Sequence, residues 1–252
     1  MTDKPPHRPR SEIPLIQLVP NMLTIAAICA GLSAIRFGIQ GDFTLAVKLI
    51  LAACVLDGLD GRLARAMAAD SAIGAELDSL ADFLNFGVAP PLVIYFWGLQ
   101  TYTSIGWICV LIFAICCVLR LARFNVGTKS ETKGKDNAYF VGVPAPASAM
   151  LAMLPMFLSF AFTDAPILHP LGISLYLGLI GLLMISRIPT WSFKTTTISR
   201  RNVKAFLVAV AVVGASVLTF AWVTLVVLCV GYIAVVLWAL FNKPRAAQSK
   251  DT

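Results

Sequence analysis

The sequence predicts an all-α, polytopic membrane bundle of about eight spans, a six-span core followed by a C-terminal two-span hairpin. Three observations carry this. First, 58% of the 252 residues are hydrophobic and only 13% are charged, against about 25% charged in soluble domains. Second, apolar runs of around 20 residues recur along the chain, each long enough for a hydrocarbon core of ~30 Å. Third, the basic residues gather in alternate loops, as expected when those loops stay in the cytoplasm.

Taken in order, residues 1–13 are polar, basic and proline-rich and read as a cytoplasmic tail without the pattern of a secretory signal. The first span covers about 19–37 and opens on Pro20-Asn21, a tolerated place for proline because a first-turn N–H has no helical partner. The second covers 43–67 and the third 74–97. A charge-free turn leads to the fourth, 104–124, and a polar loop with Lys129, Lys133, Lys135 and Asp136 to the fifth, 143–162. The loop with Asp164 and His169 precedes the sixth span, 171–188; His169 is read as an ordinary loop residue on the non-cytoplasmic side.

The core thus occupies 14–190, and a basic loop follows at 191–204. Residues 205–241 carry no charge over 37 positions. As one helix they would measure roughly 55 Å, far beyond one bilayer core, so a reversal is expected near 219–224. Residues 242–252 form a second cytoplasmic tail. With eight spans both termini share one side, and 18 of the 20 Lys and Arg fall there; Arg36 and Lys48 are the two exceptions. The location implied is a multi-pass membrane protein, with a bacterial inner membrane as the setting.

The net charge of +7 follows this topology and gives no reason to invoke nucleic acid; anionic membrane lipids are the expected partners. The six cysteines all lie in apolar runs and form no C-x-x-C pair, so they read as reduced packing thiols.

One stretch resists this apolar background. Asp57 and Asp60 are spaced i, i+3 at the cytoplasmic end of the second span, and Asp78 and Asp82 i, i+4 at the start of the third. Each pair shares a helix face. A carboxylate left at a bilayer centre is unfavourable by roughly 2.5–3.5 kcal/mol, so four together require compensation. Gly61, Ala64 and Gly74 add almost no side chain and let the two helices approach closely. Oxygen-only donors suit two hard divalent ions, Mg²⁺ or Mn²⁺, and such a pair would orient a phosphoryl group. Arg65 is the natural partner for its phosphate. Snorkelling acids paired with Arg62 and Arg65, or the ion site of a divalent-cation transporter, would explain the acids but not the small residues between them.

The order Asp57, Asp60, Gly61, Ala64, Arg65, Gly74, Asp78, Asp82 is the complete D-x2-D-G-x2-A-R-x8-G-x3-D-x3-D pattern, and here the sequence resembles the CDP-alcohol phosphatidyltransferase family. The resemblance implies a two-metal site at the cytoplasmic face, where an alcohol attacks a CDP-linked lipid and CMP leaves. It assigns the metals to Asp57, Asp60, Asp78 and Asp82, with Asp82 also the base for the incoming hydroxyl. It gives the cytidine and its phosphates to Gly61, Ala64, Arg65 and Gly74, with Asn21 and Thr24 close enough on the first span to join them. Family members are commonly homodimers.

Beyond this motif the pieces P-N-M-L-T at 20–24, D-F-L-N-F-G-V-A-P at 82–90, L-R-L-A-R-F-N at 119–125 and F-V-G-V-P-A-P-A at 140–147 resemble the integral-membrane phosphatidylserine synthases of the family. Asn85 stands where serine is more usual. The resemblance implies CDP-diacylglycerol and L-serine as substrates, with choline, glycerol 3-phosphate or an inositol as the alternative acceptors. Serine's carboxylate needs a cation whereas choline needs an aromatic cage. Arg120 and Arg123, at the cytoplasmic end of the fourth span, are the candidates for that carboxylate.

Overall fold

The computed structural model describes residues 18–67, 71–130, 139–163, 168–186, 189–191 and 203–241. Both terminal tails, most of the basic loop 191–204, the loop 131–138 and Asp164 lie outside the described residues.

The first two helices, α1 (Val19–Ile39) and α2 (Phe43–Ala66), form a hairpin whose turn is set by Gly41 at φ 84° and by Asp42, whose side chain accepts from Leu45 N at 3.0 Å. The buried face of α1 runs Pro20, Thr24, Ala27, Gly31, Ala34, Gly38, a stripe of small residues at alternating steps of four and three. Its partner on α2 runs Ala46, Ile50 and Ala53 and reaches Asp60 at the end of the helix. Without a hydrophobic force between helices in lipid, small residues are what allow such backbones to come close.

A third span follows as α3 (Ala72–Asp82), a π-helical stretch (Phe83–Val88) and α4 (Ala89–Gly98). The sequence predicts one continuous helix here. The wider turn has a local cause: Pro90 and Pro91 open α4 and offer no N–H to the turn before them. Gly87 in that stretch meets α5 (Thr103–Ser130) so closely that an added Cβ would stand 2.9 Å from Cys117 Sγ.

The fifth expected span is broken. Helices α6 (Ala145–Ala152) and α7 (Leu154–Phe162) meet at Met153 with a bend of 42°. Pro155 removes the N–H that would bond the Leu151 carbonyl. Tyr176 of α8 (Pro170–Ile185) takes that place, its Oη donating to Leu151 O at 2.7 Å. Before α6, Gly142 has φ 88° and an added Cβ would collide with the Met184 carbonyl oxygen, so the turn admits only glycine. It follows a short antiparallel ribbon, Tyr139–Val141 against Pro189–Trp191, an addition to the otherwise helical fold.

Helices α9 (Val203–Thr219) and α10 (Ala221–Phe241) are separated at Phe220, inside the window expected for a reversal. α10 packs on α7, where Trp222 meets Phe160 at 4.9 Å between ring centroids. Phe86, Phe113 and Phe157 fill the centre of the core.

Among the described residues, four helices are long and apolar enough to cross a membrane: Val19–Ile39, Ile73–Gly98, Gln100–Val126 and Ala221–Trp238; the bent pair α6–α7 would be a fifth. α2 falls outside that set through Lys48, Asp57, Asp60, Arg62 and Arg65, and α8 and α9 through their lengths of 16 and 17 residues.

Candidate active site

The site lies where the α1–α2 seam runs out at one end of the bundle and α3 closes over it. The face of α2 that carries Ala46, Ile50 and Ala53 continues at the same spacing through Asp57, Asp60 and Ala64, so helical periodicity alone aims both carboxylates into the interface. Oxygens of Asp57, Asp60 and Asp78 all lie within 4.8 Å of one another. Asp82, one turn further along α3, lies within electrostatic reach of Asp57 and Asp78. All four acids of the motif are thus gathered from two helices.

Asp60 is 3% exposed. Its Oδ2 accepts from Thr24 Oγ1 at 2.6 Å, with the Pro20 carbonyl a second acceptor for the same hydroxyl at 3.1 Å. Its Oδ1 is buried and has no hydrogen-bond partner among the described residues. A buried carboxylate oxygen without a donor is a group that a hard cation satisfies, and three converging carboxylates are the donor set such cations prefer. The residues therefore fit a divalent metal.

Beside the carboxylates an open cleft of about 170 Å³ is lined by Pro20, Asn21, Thr24, Asp60, Gly61, Ala64, Arg65, Ser71, Gly74, Ala75 and Asp78. All six residues expected to hold the nucleotide are in this wall. Gly74 is where the fit is tightest: an added Cβ would stand 2.9 Å from Asn21 Oδ1 and 3.0 Å from Ser71 Oγ. Ser71 caps α3 by accepting from Gly74 N at 2.9 Å. Gly61 and Ala64 keep the α2 side low, with Arg65 exposed at the rim.

Arg120 and Arg123 separate in space. Arg120 is half-buried, within electrostatic reach of Asp82, and is not part of the cleft wall. Arg123 is exposed one turn further along α5. Between them and α3, Asn125 Nδ2 donates to Ser79 Oγ at 3.0 Å and ties the two helices together.

Sequence reading missed Ser71, Ala75 and the Asn125–Ser79 bond. Ser71 carries a signal that was legible, a serine three residues before a glycine at the head of an apolar helix. The Asn125–Ser79 bond joins residues 46 positions apart and has no local signature.

The sequence model of CDP-alcohol phosphatidyltransferases matches residues 17–184, the stretch that holds the whole site and stops before the C-terminal helices. A CDP-diacylglycerol–serine O-phosphatidyltransferase of Mycobacterium leprae is 37% identical over 94% of this chain and 79% of its own. The enzyme of the same description from Helicobacter pylori is 37% identical over 76% of this chain and 78% of its own. That of Bacillus subtilis is 37% identical over 70% and 91%. With the motif complete, its acids gathered at one seam and the match spanning the core, the chain belongs to the CDP-alcohol phosphatidyltransferase family.

Proposed function

We propose that this transferase moves the phosphatidyl group of CDP-diacylglycerol to the hydroxyl of L-serine, releasing CMP. The observation that carries the choice of serine is the half-buried Arg120 within electrostatic reach of Asp82 and outside the wall of the nucleotide cleft. A guanidinium there attracts a carboxylate and repels a quaternary ammonium, which disfavours choline. The relatives' names support the same reading.

In this reading the CDP head lies in the cleft of Asn21, Thr24, Gly61, Ala64, Arg65 and Gly74, with Arg65 on its phosphates. Asp57, Asp60, Asp78 and Asp82 would hold two divalent ions, Mg²⁺ or Mn²⁺. When bound, such ions neutralise charge developing on the phosphoryl oxygens and make the hydroxyl more acidic. Asp82 accepts the proton of the serine hydroxyl as its oxygen bonds to the β-phosphorus of the lipid. The pyrophosphate P–O bond breaks, and CMP departs with its electrons. Thr24 holds Asp60 in its orientation through their hydrogen bond.

The proposal includes eight spans, with α2, α8 and α9 crossing alongside the longer helices, residues 14–190 as the catalytic core and 205–241 as an added hairpin. Both termini and the site then face the cytoplasm, where serine and CMP are soluble, in the inner membrane of a bacterium.

The test is CMP release by the purified protein given CDP-diacylglycerol, Mn²⁺ or Mg²⁺, and serine, choline, glycerol 3-phosphate or inositol in turn. Serine-dependent release supports the reading. Release with another alcohol alone transfers the assignment to that acceptor, and none with any alcohol would return the four acids to ion transport.

A further inference from the structure

Outside the acidic seam, four buried polar atoms lack hydrogen-bond partners among the described residues: both amide atoms of Asn85 in the π-helical stretch, Arg120 Nε on α5 and Tyr232 Oη on α10. The Arg120 and Tyr232 side chains lie within electrostatic reach of each other, and Arg120 reaches Asp82 as well. Buried donors in native proteins are almost always paired, so two orphans within electrostatic reach of each other, one of them also of Asp82, call for a ligand with acceptor oxygens.

The position of Tyr232 is built rather than incidental. Along α10 the residues Trp222, Leu225, Cys229 and Tyr232 recur at steps of three and four and share one face. Trp222 packs on Phe160, Leu225 is buried, and Cys229 Sγ donates to the Met150 carbonyl at 3.6 Å. This anchored stripe includes Tyr232, which is half-buried and within electrostatic reach of Arg120. The helix lies beyond the residues shared with the family at large.

Resting on the serine-transfer reading, we infer that Tyr232 and Arg120 together form the subsite for the acceptor's carboxylate. The guanidinium supplies the charge and the phenol donates one hydrogen bond to a carboxylate oxygen. A phosphate oxygen of the lipid would satisfy the same donors, but neither residue lines the nucleotide cleft. The C-terminal hairpin is thereby part of acceptor recognition.

The experiment measures CMP release by wild type and Tyr232→Phe while serine and CDP-diacylglycerol are varied separately. Wild type is read first, because failure to use serine overturns the underlying reading irrespective of Tyr232. Given serine use, Tyr232→Phe should raise the serine KM about tenfold, the effect of one hydrogen bond to a charged group. The KM for CDP-diacylglycerol should stay within about twofold, since the nucleotide cleft is untouched. An unchanged serine KM overturns the inference, and an equal rise in both KM values reassigns the pair to a lipid phosphate. Thermal unfolding of the two proteins without substrate is the second readout. Removing an unpartnered hydroxyl should not lower Tm, whereas a drop of several degrees would make Tyr232 a structural residue and overturn the inference.

Discussion

Tyr176 Oη donates to the carbonyl of Leu151 at 2.7 Å, the one carbonyl that Pro155 deprives of its helical donor. The bend between α6 and α7 is therefore paired across helices. Tyr176→Phe should remove the inter-helix donor to that carbonyl and destabilise the protein by about 1 kcal/mol, the upper range for bonds between membrane helices. A detergent denaturation or thermal-unfolding series checks this, and a variant as stable as wild type would show that the carbonyl finds another donor.

Thr24 is the donor that orients Asp60. Thr24→Val keeps the shape and deletes the bond, so the concentration of Mn²⁺ or Mg²⁺ for half-maximal CMP release should rise about tenfold or more. Activity lost to a chelator should return on adding either ion. An unchanged metal requirement in Thr24→Val would remove Asp60 from the proposed metal ligands.

Gly74→Ala introduces a Cβ at 2.9 Å from Asn21 Oδ1 and 3.0 Å from Ser71 Oγ. The cleft should narrow on the nucleotide side, raising the KM for CDP-diacylglycerol severalfold while the KM for serine changes little. A rise confined to serine would reverse the assignment of the cleft.

Asp82→Asn and Arg65→Ala should each abolish detectable turnover without preventing membrane insertion. Loss of a positioned base alone lowers kcat by about 10²–10⁴. Initial rates on the inserted, purified variants decide it; near-normal turnover by Asp82→Asn would take the proton from another group.

Arg120→Gln should raise the serine KM strongly, because this guanidinium lies near Asp82 in a half-buried setting. Arg123→Glu, exposed one turn away, should raise it less while still affecting serine more than the lipid. Equal effects of Arg123→Glu on both substrates would make Arg123 a membrane-surface anchor.

The acidic seam was legible because it depends on one number, the 3.6-residue period, which sends Asp57, Asp60 and Ala64 down the face begun by Ala46 and Ile50. The small residues Gly61, Ala64 and Gly74 marked the cleft for the same reason. What stayed hidden depends on partners distant in sequence. The bend inside the expected 143–162 span was not read, and the Tyr176 hydroxyl that pairs the freed Leu151 carbonyl comes from another helix. The ribbon pairs Tyr139 with Trp191 across a loop, and neither triplet alternates clearly enough to read as strand. Arg120 and Arg123 are near-equivalent in sequence; packing of α5 against the π-helical stretch sets them apart.

That π-helical stretch, Phe83–Val88, has a consequence for how the reaction site tolerates change in the bilayer. Each residue of an α-helix advances the azimuth by about 100°, and a π-turn lets one extra residue pass without equivalent rotation. On one side of it Asp82 must lie within electrostatic reach of Asp57; on the other Val93 seats against Gly38, whose added Cβ would lie 3.1 Å from it. The wide turn works as a phase adjuster between a catalytic surface with fixed intervals and a lipid-embedded surface with its own packing register. Deleting one residue within it should leave two intact helical segments whose faces are out of register, silencing the enzyme while the chain still inserts.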